Sequence, residues 1–475
     1  MSNPRSKSKI PLQFKVFHTL LGFAVFFSLV TLPAETQLIK VGGILTTSEL
    51  LWWPVVFFIF QLIYTVYGFA YLRHAVYLVI LFHTIYILFL RLAICLPSSS
   101  FWKMQEIYAQ VLYRDFSYLL KSAFFLWICA LFLIKLFAKA NKEFERYIFL
   151  MALIIFTFLN LFWLNSKSNV NSSQILVSIL IFYFLNIFLN KLLIIILRIE
   201  HVTYAQETQK QLFKFQLPKN INSYEEMFKF HHILFCFSIV FFITSKTVSA
   251  KFISIGFLTI NVGGVVFSLV YLTADMMTDV YGIERTKQMI LFVIFCNLLF
   301  IFFIWITNLL ALNDKGEFQL ILHNQTRMFI ASAIAFFLGM TINSTAISII
   351  KWRQRKRGIS LKKEFLTTVW ARIATSTAFG IIIDVSFFSL VAFYGIVPNE
   401  KLTSIIIFED IYKISYEFLL APVSILLIYL LKVKEKVDIY DELNNLNPFR
   451  INTNYKMGAN KFYENYVSYR NETDE

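Results

Sequence analysis

Residues 276–282 read Met-Met-Thr-Asp-Val-Tyr-Gly, and residues 62–68 read Leu-Ile-Tyr-Thr-Val-Tyr-Gly. The shared Val-Tyr-Gly triplets lie 214 positions apart (282 − 68), and that offset runs back without a gap to His18 and His232. Leu20 and Leu234, Phe23 and Phe237, Phe27 and Phe241, and Gly42 and Gly256 match at the same spacing. The chain reads as two copies of one unit. The copies differ where chemistry would sit, because Asp275 and Asp279 stand where the first copy has Gln61 and Thr65. Carboxylates inside a membrane are costly and mark function. The second copy therefore reads as the working half.

The surroundings follow from composition. Hydrophobic residues make up 58% of the chain and charged residues 15%, against about 25% charged in soluble domains. Apolar runs of membrane-crossing length, about 20 residues each, recur throughout. About twelve are expected, at 13–33, 50–70, 75–96, 117–138, 147–165 and 173–197, then 228–246, 258–281, 288–311, 327–350, 368–395 and 404–432. The expected fold is an all-α polytopic membrane protein built as two parallel six-helix repeats. Its divisions are a degenerate repeat 1–197, a polar linker 198–227, a transporter-like repeat 228–432 and a polar tail 433–475. An even number of spans in each half makes both copies enter from one side, which relates them by an axis along the membrane normal. The apolar run after the basic start Met1–Pro11 is too long for a cleaved signal and reads as the first span.

The net charge of +15 raises a nucleic-acid reading, which the positions of the cations exclude. Basic residues fill every second loop: Arg5 to Lys9, Arg73, Lys135 to Arg146, Arg198 to Lys219, Arg285 and Lys287, and Lys351 to Lys363. This is the positive-inside pattern and puts both termini in the cytoplasm. The run Lys351–Arg357 reads as an anchor against anionic lipid. Cys95, Cys129, Cys236 and Cys296 sit in or beside apolar runs without paired spacing, so they read as packing residues. No zinc spacing, P-loop, nucleophile elbow or metalloprotease motif is present. Neither a cofactor, a metal nor an enzymatic activity is expected.

Asp275 and Asp279 are four apart and share one helix face. Asp279 lies nearer the end of its span, where it either serves function or pairs with Arg285 or Lys287. Arg372, Ser376, Gly380 and Asp384 recur every four residues along another span. Arg372 either snorkels to the interface or faces inward, whereas Asp384 is too deep to reach water. Asn343 lies within a third span. Glu409, Lys413 and Glu417 lie on the last one, where Lys413 either neutralises Asp384 or pairs with Glu409.

Several of these residues also carry a resemblance. Gly263-Gly264, then Asp275-Met-Met-Thr-Asp279-Val-Tyr-Gly282, then Glu-Arg-Thr-Lys287, resembles the first signature of the queuosine precursor transporter family, also called the vitamin uptake transporter family. Arg372-Ile-Ala-Thr-Ser376 through Asp384, followed by Phe387-Phe388 and Ala392-Phe393, is similar to the second, and Lys413 and Pro422 fall at matching places. The similarity spans about residues 228–435. Ser268 departs from it, standing where the family has proline; Pro54 of the first half keeps that proline.

The resemblance implies a transporter that imports a deazaguanine precursor of queuosine for transfer-RNA modification, across the cytoplasmic membrane of a bacterium. A guanine-like edge presents N–H donors that a carboxylate accepts in pairs. The substrate-binding set expected is Asp275, Asp279, Asn343, Arg372, Ser376, Asp384 and Lys413. The partners expected are a deazapurine-like solute, the lipid bilayer and a coupling proton, without nucleic acid; self-association into a homo-oligomer is left open. Two other classes compete with transport. One is a non-transporting scaffold or partner-binding subunit on the same fold, motivated by the divergent first half and the polar tail. The other is an intramembrane enzyme, which has only the carboxylates in its favour.

Overall fold

The computed structural model describes residues 16–34, 38–41, 44–99, 105–113, 116–135, short pieces between 151 and 192, 228–249, 251–255, 258–310, 326–356, 361–395, 399–441, 447–450 and 460–462. The expected spans 147–165 and 173–197 lie largely, and the linker 198–227 entirely, outside the described residues.

The elements of the first half are helix α1 (Phe17–Ala34), strands β1 (Leu38–Val41) and β2 (Ile44–Thr47), and helices α2 (Trp53–Tyr67), α3 (Phe69–Cys95), α4 (Gln105–Leu112) and α5 (Phe116–Trp127). The second half has α6 (His231–Thr247), β3 (Phe252–Ile255), β4 (Leu258–Asn261), α7 (Val262–Tyr281), α8 (Ile283–Leu310), α9 (Thr326–Lys356), α10 (Leu361–Phe393) and α11 (Asn399–Glu435). Among the described residues, seven helices are long and apolar enough to cross a bilayer. The chain is a multi-pass, mainly helical membrane protein.

The offset seen in the sequence recurs in the elements. α1 and α6 start 214 apart (231 − 17), as do β1 and β3, β2 and β4, and α3 and α8. The helix break recurs too: Gly68 has φ 86 and Gly282 has φ 85. A Cβ is strained at such angles, so glycine is required there. The short strands were not expected. Each is four residues long, too brief to show a two-residue period. β3 and β4 pair antiparallel, with Phe252 opposite Asn261 and Ile255 opposite Leu258.

Described residues divide into two compact units, one from 1–35, 40–84 and 114–232, the other from 36–39, 85–113 and 233–475. In the first, α1 packs on α2. His74 and His232 bring their Nε2 atoms within 2.8 Å of each other, both buried.

In the second unit α7 is central, packing on α8, α9 and α11, while α10 packs on α9 and α11. Asn261 caps α7 by accepting from the Gly264 amide at 3.1 Å. Small residues set the α9–α10 crossing. A Cβ at Gly380 would come within 2.9 Å of the Gly339 carbonyl, and one at Gly339 within 2.8 Å of the Gly380 carbonyl. In lipid the apolar effect does not drive helices together, so such close backbone approach supplies the packing.

Candidate functional site

Asp275 lies in the fourth turn of α7 and is wholly buried. Asn343 of α9 donates its amide to Oδ1 at 2.7 Å. Thr377 of α10 donates its hydroxyl to Oδ2 at 2.9 Å and stands 3.4 Å from the Asn343 amide oxygen. Three helices thus meet on one carboxylate held by neutral donors. Among the described residues Asp275 has no ion pair. A carboxylate so placed can take up a proton, or accept a solute N–H, without breaking a salt bridge.

One turn on, Asp279 has the opposite surroundings. Its two oxygens meet Arg372 of α10 and Lys432 of α11, and its backbone carbonyl accepts from Lys351 of α9 at 2.6 Å. Asp279 therefore does not pair with Arg285 or Lys287; Lys287 instead meets Glu284 at 3.1 Å. Arg372 does not snorkel, being 1% exposed, and a second N–H reaches Gln354 Oε1 at 2.9 Å. Lys351 is also buried rather than a lipid anchor.

The third group surrounds Asp384. Its carboxylate has no hydrogen-bond or ion-pair partner among the described residues, but it feels the charges of Lys413 and Lys246. Lys413 lies 3.8 Å from Glu409, one turn back on α11. Lys246, near the end of α6, donates to Ser332. Its ammonium stands 5.5 Å from the centroid of Phe267, and that of Lys413 stands 5.9 Å from the same ring, both within cation–π range. Tyr271 joins this group to the glycine crossing, donating to the Gly380 carbonyl at 3.3 Å.

The structure thus brings Asp275 to Asn343, Asp279 to Arg372, and Asp384 into the field of Lys413. Ser376 is buried but donates back to Ile373 of its own helix at 3.0 Å. Sequence reasoning missed Lys246, Thr377, Lys351, Lys432 and Asp438. Thr377 adjoins Ser376 in the quoted stretch, and Lys246 is a cation inside an apolar run; both were signals.

Asp438, beyond the last span, completes the Asp279 group. It pairs with Lys351 at 2.8 Å and with Lys432 at 2.8 Å, and it is wholly buried. Burial pushes its pKa up, but the two ammonium groups outweigh burial and hold it below the ordinary 3.8. Such a group stabilises the fold above the ordinary carboxylate range, and that stability is lost as pH falls through the lower folded value. Nearby Asp441 shifts the other way, because burial exceeds the help from Ser348 and the Ile283 amide. We therefore expect the unfolding midpoint of the solubilised protein to fall with acidification below about pH 4. Asp438→Asn should lack that acid-side loss; an identical profile in the variant would refute the assignment.

No curated protein and no solved structure matches the chain. Residues 261–427, which carry Asp275, Asp279, Asn343, Arg372, Asp384 and Lys413, match the family described as "Putative vitamin uptake transporter", so the second half of the chain is similar to a family of membrane transporters, while Lys246, Lys432 and Asp438 lie outside the matched stretch.

Proposed function

We propose that the chain imports a small nucleobase-like solute, a deazaguanine precursor of queuosine, across the cytoplasmic membrane of a bacterium. The observation that carries this reading is Asp275. It is a buried carboxylate held by Asn343 and Thr377 with no cation among the described residues against it. It offers acceptor oxygens that suit the paired N–H donors of a guanine-like edge. Asp384 offers a second carboxylate, flanked by the charges of Lys413 and Lys246. The ring of Phe267 beside both ammonium groups gives a flat solute an aromatic face. In this reading the second half, 228–432, holds the site, and the first, 1–197, is a degenerate copy acting as scaffold. The whole is two parallel six-helix repeats with both termini in the cytoplasm, and a proton taken up on Asp275 or Asp384 couples transport.

The test is uptake of labelled cyano- and aminomethyl-deazaguanine by cells that neither make nor import them. Wild type should accumulate label and Asp384→Asn should not, with equal amounts of both in the membrane. Uptake by the variant at the wild-type rate would remove Asp384 from the site. No uptake by well-inserted wild type would reject the solute and favour the scaffold.

A further inference from the structure

Past the end of α11 the chain turns back on itself. Lys436 has φ 59, a left-handed conformation that costs a residue with a Cβ. Residues Val437 and Ile439 are then buried, and from Ile439 on the segment meets the break between α7 and α8. The Ile439 amide donates to the Val280 carbonyl at 3.1 Å. The Asp441 carboxylate accepts from the Ile283 amide at 3.0 and 3.1 Å. A carbonyl near the end of α7 and the first amide of α8 are groups that a helix break leaves open, and the returning segment fills both. Ser348 of α9 donates to Asp441 at 2.7 Å, and Lys351 of α9 donates to the Ile439 carbonyl at 2.6 Å. The ring of Tyr440 lies 4.4 Å from the Lys351 ammonium and 5.0 Å from the Arg355 guanidinium. One short strap therefore ties α7, α8 and α9 together at a single end of the second unit, with α11 as its root.

We propose that the strap Lys436–Asp441 is a gate: docked on the Gly282 break it holds this end of the helices together, and it leaves the break to let solute pass. Three features suit a movable part. Its grip is made of hydrogen bonds and of the two Asp438 ion pairs, groups that water can solvate once the strap leaves, beside two buried aliphatic side chains. Lys436 stores backbone strain that release would relax. On release Asp279 keeps Arg372 and Lys432, while Lys351 gives up Asp438 and the Ile439 carbonyl and keeps the Asp279 carbonyl, so water must reach its ammonium as the strap leaves. The strap lies outside the matched stretch 261–427. Its effect on uptake rests on the transporter reading; the closure itself does not.

Two measurements on the full chain separate these. The first is labelling of Ser376→Cys, a wholly buried position one turn from Arg372, by a membrane-impermeant maleimide in permeabilised vesicles. Adding Asp438→Ala should raise the labelling rate at least tenfold; where that variant does not insert, Asp441→Ala serves, since it drops only the grip on Ile283 and Ser348. Equal rates with the strap intact and weakened would overturn the gate. The second is uptake by Ser348→Cys with Asp441→Cys in a Cys95→Ser background. Oxidation should stop uptake and reduction should restore it, whereas undiminished uptake by the cross-linked chain would make the strap a fixed brace. Wild type that fails to take up solute would sink the transporter reading and leave the labelling result to judge the strap.

Discussion

Asp279→Ala should lower the stability of the solubilised protein by about 3–5 kcal/mol, the usual cost of removing one partner from a buried ion pair. Asp279 is wholly buried and faces Arg372 and Lys432, which are 1% and 0% exposed. Removing the carboxylate leaves the guanidinium with the Gln354 side chain as its partner on another helix. Lys432 retains Asp438, so most of the loss falls on Arg372. That asymmetry makes a sharper prediction. Adding Arg372→Met to Asp279→Ala should recover at least about 1 kcal/mol, because it removes the stranded charge while keeping apolar bulk. Adding Lys432→Met instead should cost more, since it also strips Asp438 of a partner. Denaturant unfolding of the single and the two double variants measures all three. A single variant within about 1 kcal/mol of wild type, or a second substitution that deepens the loss at Arg372, would show that the pair is not what holds these helices.

The two aspartates show how far the sequence could be read. Their spacing of four placed them on one face of α7, and the structure keeps them there. The spacing said nothing of their partners, which come from α9, α10 and α11, 68 to 153 positions along the chain (343 − 275 and 432 − 279). Arg372 stood out because a cation interrupts an apolar span. Lys351 and Lys432 did not. Each lies next to a cytoplasmic-looking loop, where lysine is the common residue under the positive-inside rule. Only the fold distinguishes a buried lysine from a loop lysine at such a place. Asp438 was hidden for the same reason, since a polar tail without periodicity gives no sign that it folds back. The 214-residue offset, which the starts of α1 and α6, β1 and β3, β2 and β4, and α3 and α8 share, was legible because identities at a fixed spacing need no knowledge of contacts. The strands between α1 and α2, and between α6 and α7, were not, because they carry no pattern of their own. The expected site residue that fits least is Ser376. Its place in the four-residue row with Arg372 and Asp384 was real, but its hydroxyl bonds within α10, and the neighbouring Thr377 makes the contact across helices.

Asp275→Asn should abolish uptake while leaving the fold nearly intact, and the local geometry says why the two effects separate. The variant amide is the same size as the carboxylate. Its oxygen can take the place of Oδ1 and still accept from Asn343, now held at 2.7 Å. Its nitrogen then takes the place of Oδ2 and donates to the Thr377 hydroxyl oxygen, which serves as acceptor as readily as donor. The Thr377 proton can turn toward the Asn343 amide oxygen, 3.4 Å away. Every polar group keeps a partner, so the change in stability should be under about 1 kcal/mol. What is lost is chemical: one acceptor oxygen for a solute N–H, and a site that takes up and gives back a proton. Uptake should fall at least tenfold, which is about 1.4 kcal/mol in the binding or translocation step. Thr377→Val gives the complementary result, because it removes a hydroxyl partner without touching the carboxylate. It should cost stability at about 1–3 kcal/mol, as expected when a buried acceptor loses its donor, and it should spare part of the uptake. If Asp275→Asn transports at the wild-type rate, or if it unfolds as badly as Asp279→Ala, the carboxylate is a structural tie between α7, α9 and α10, and the solute and proton must be handled at Asp384 alone.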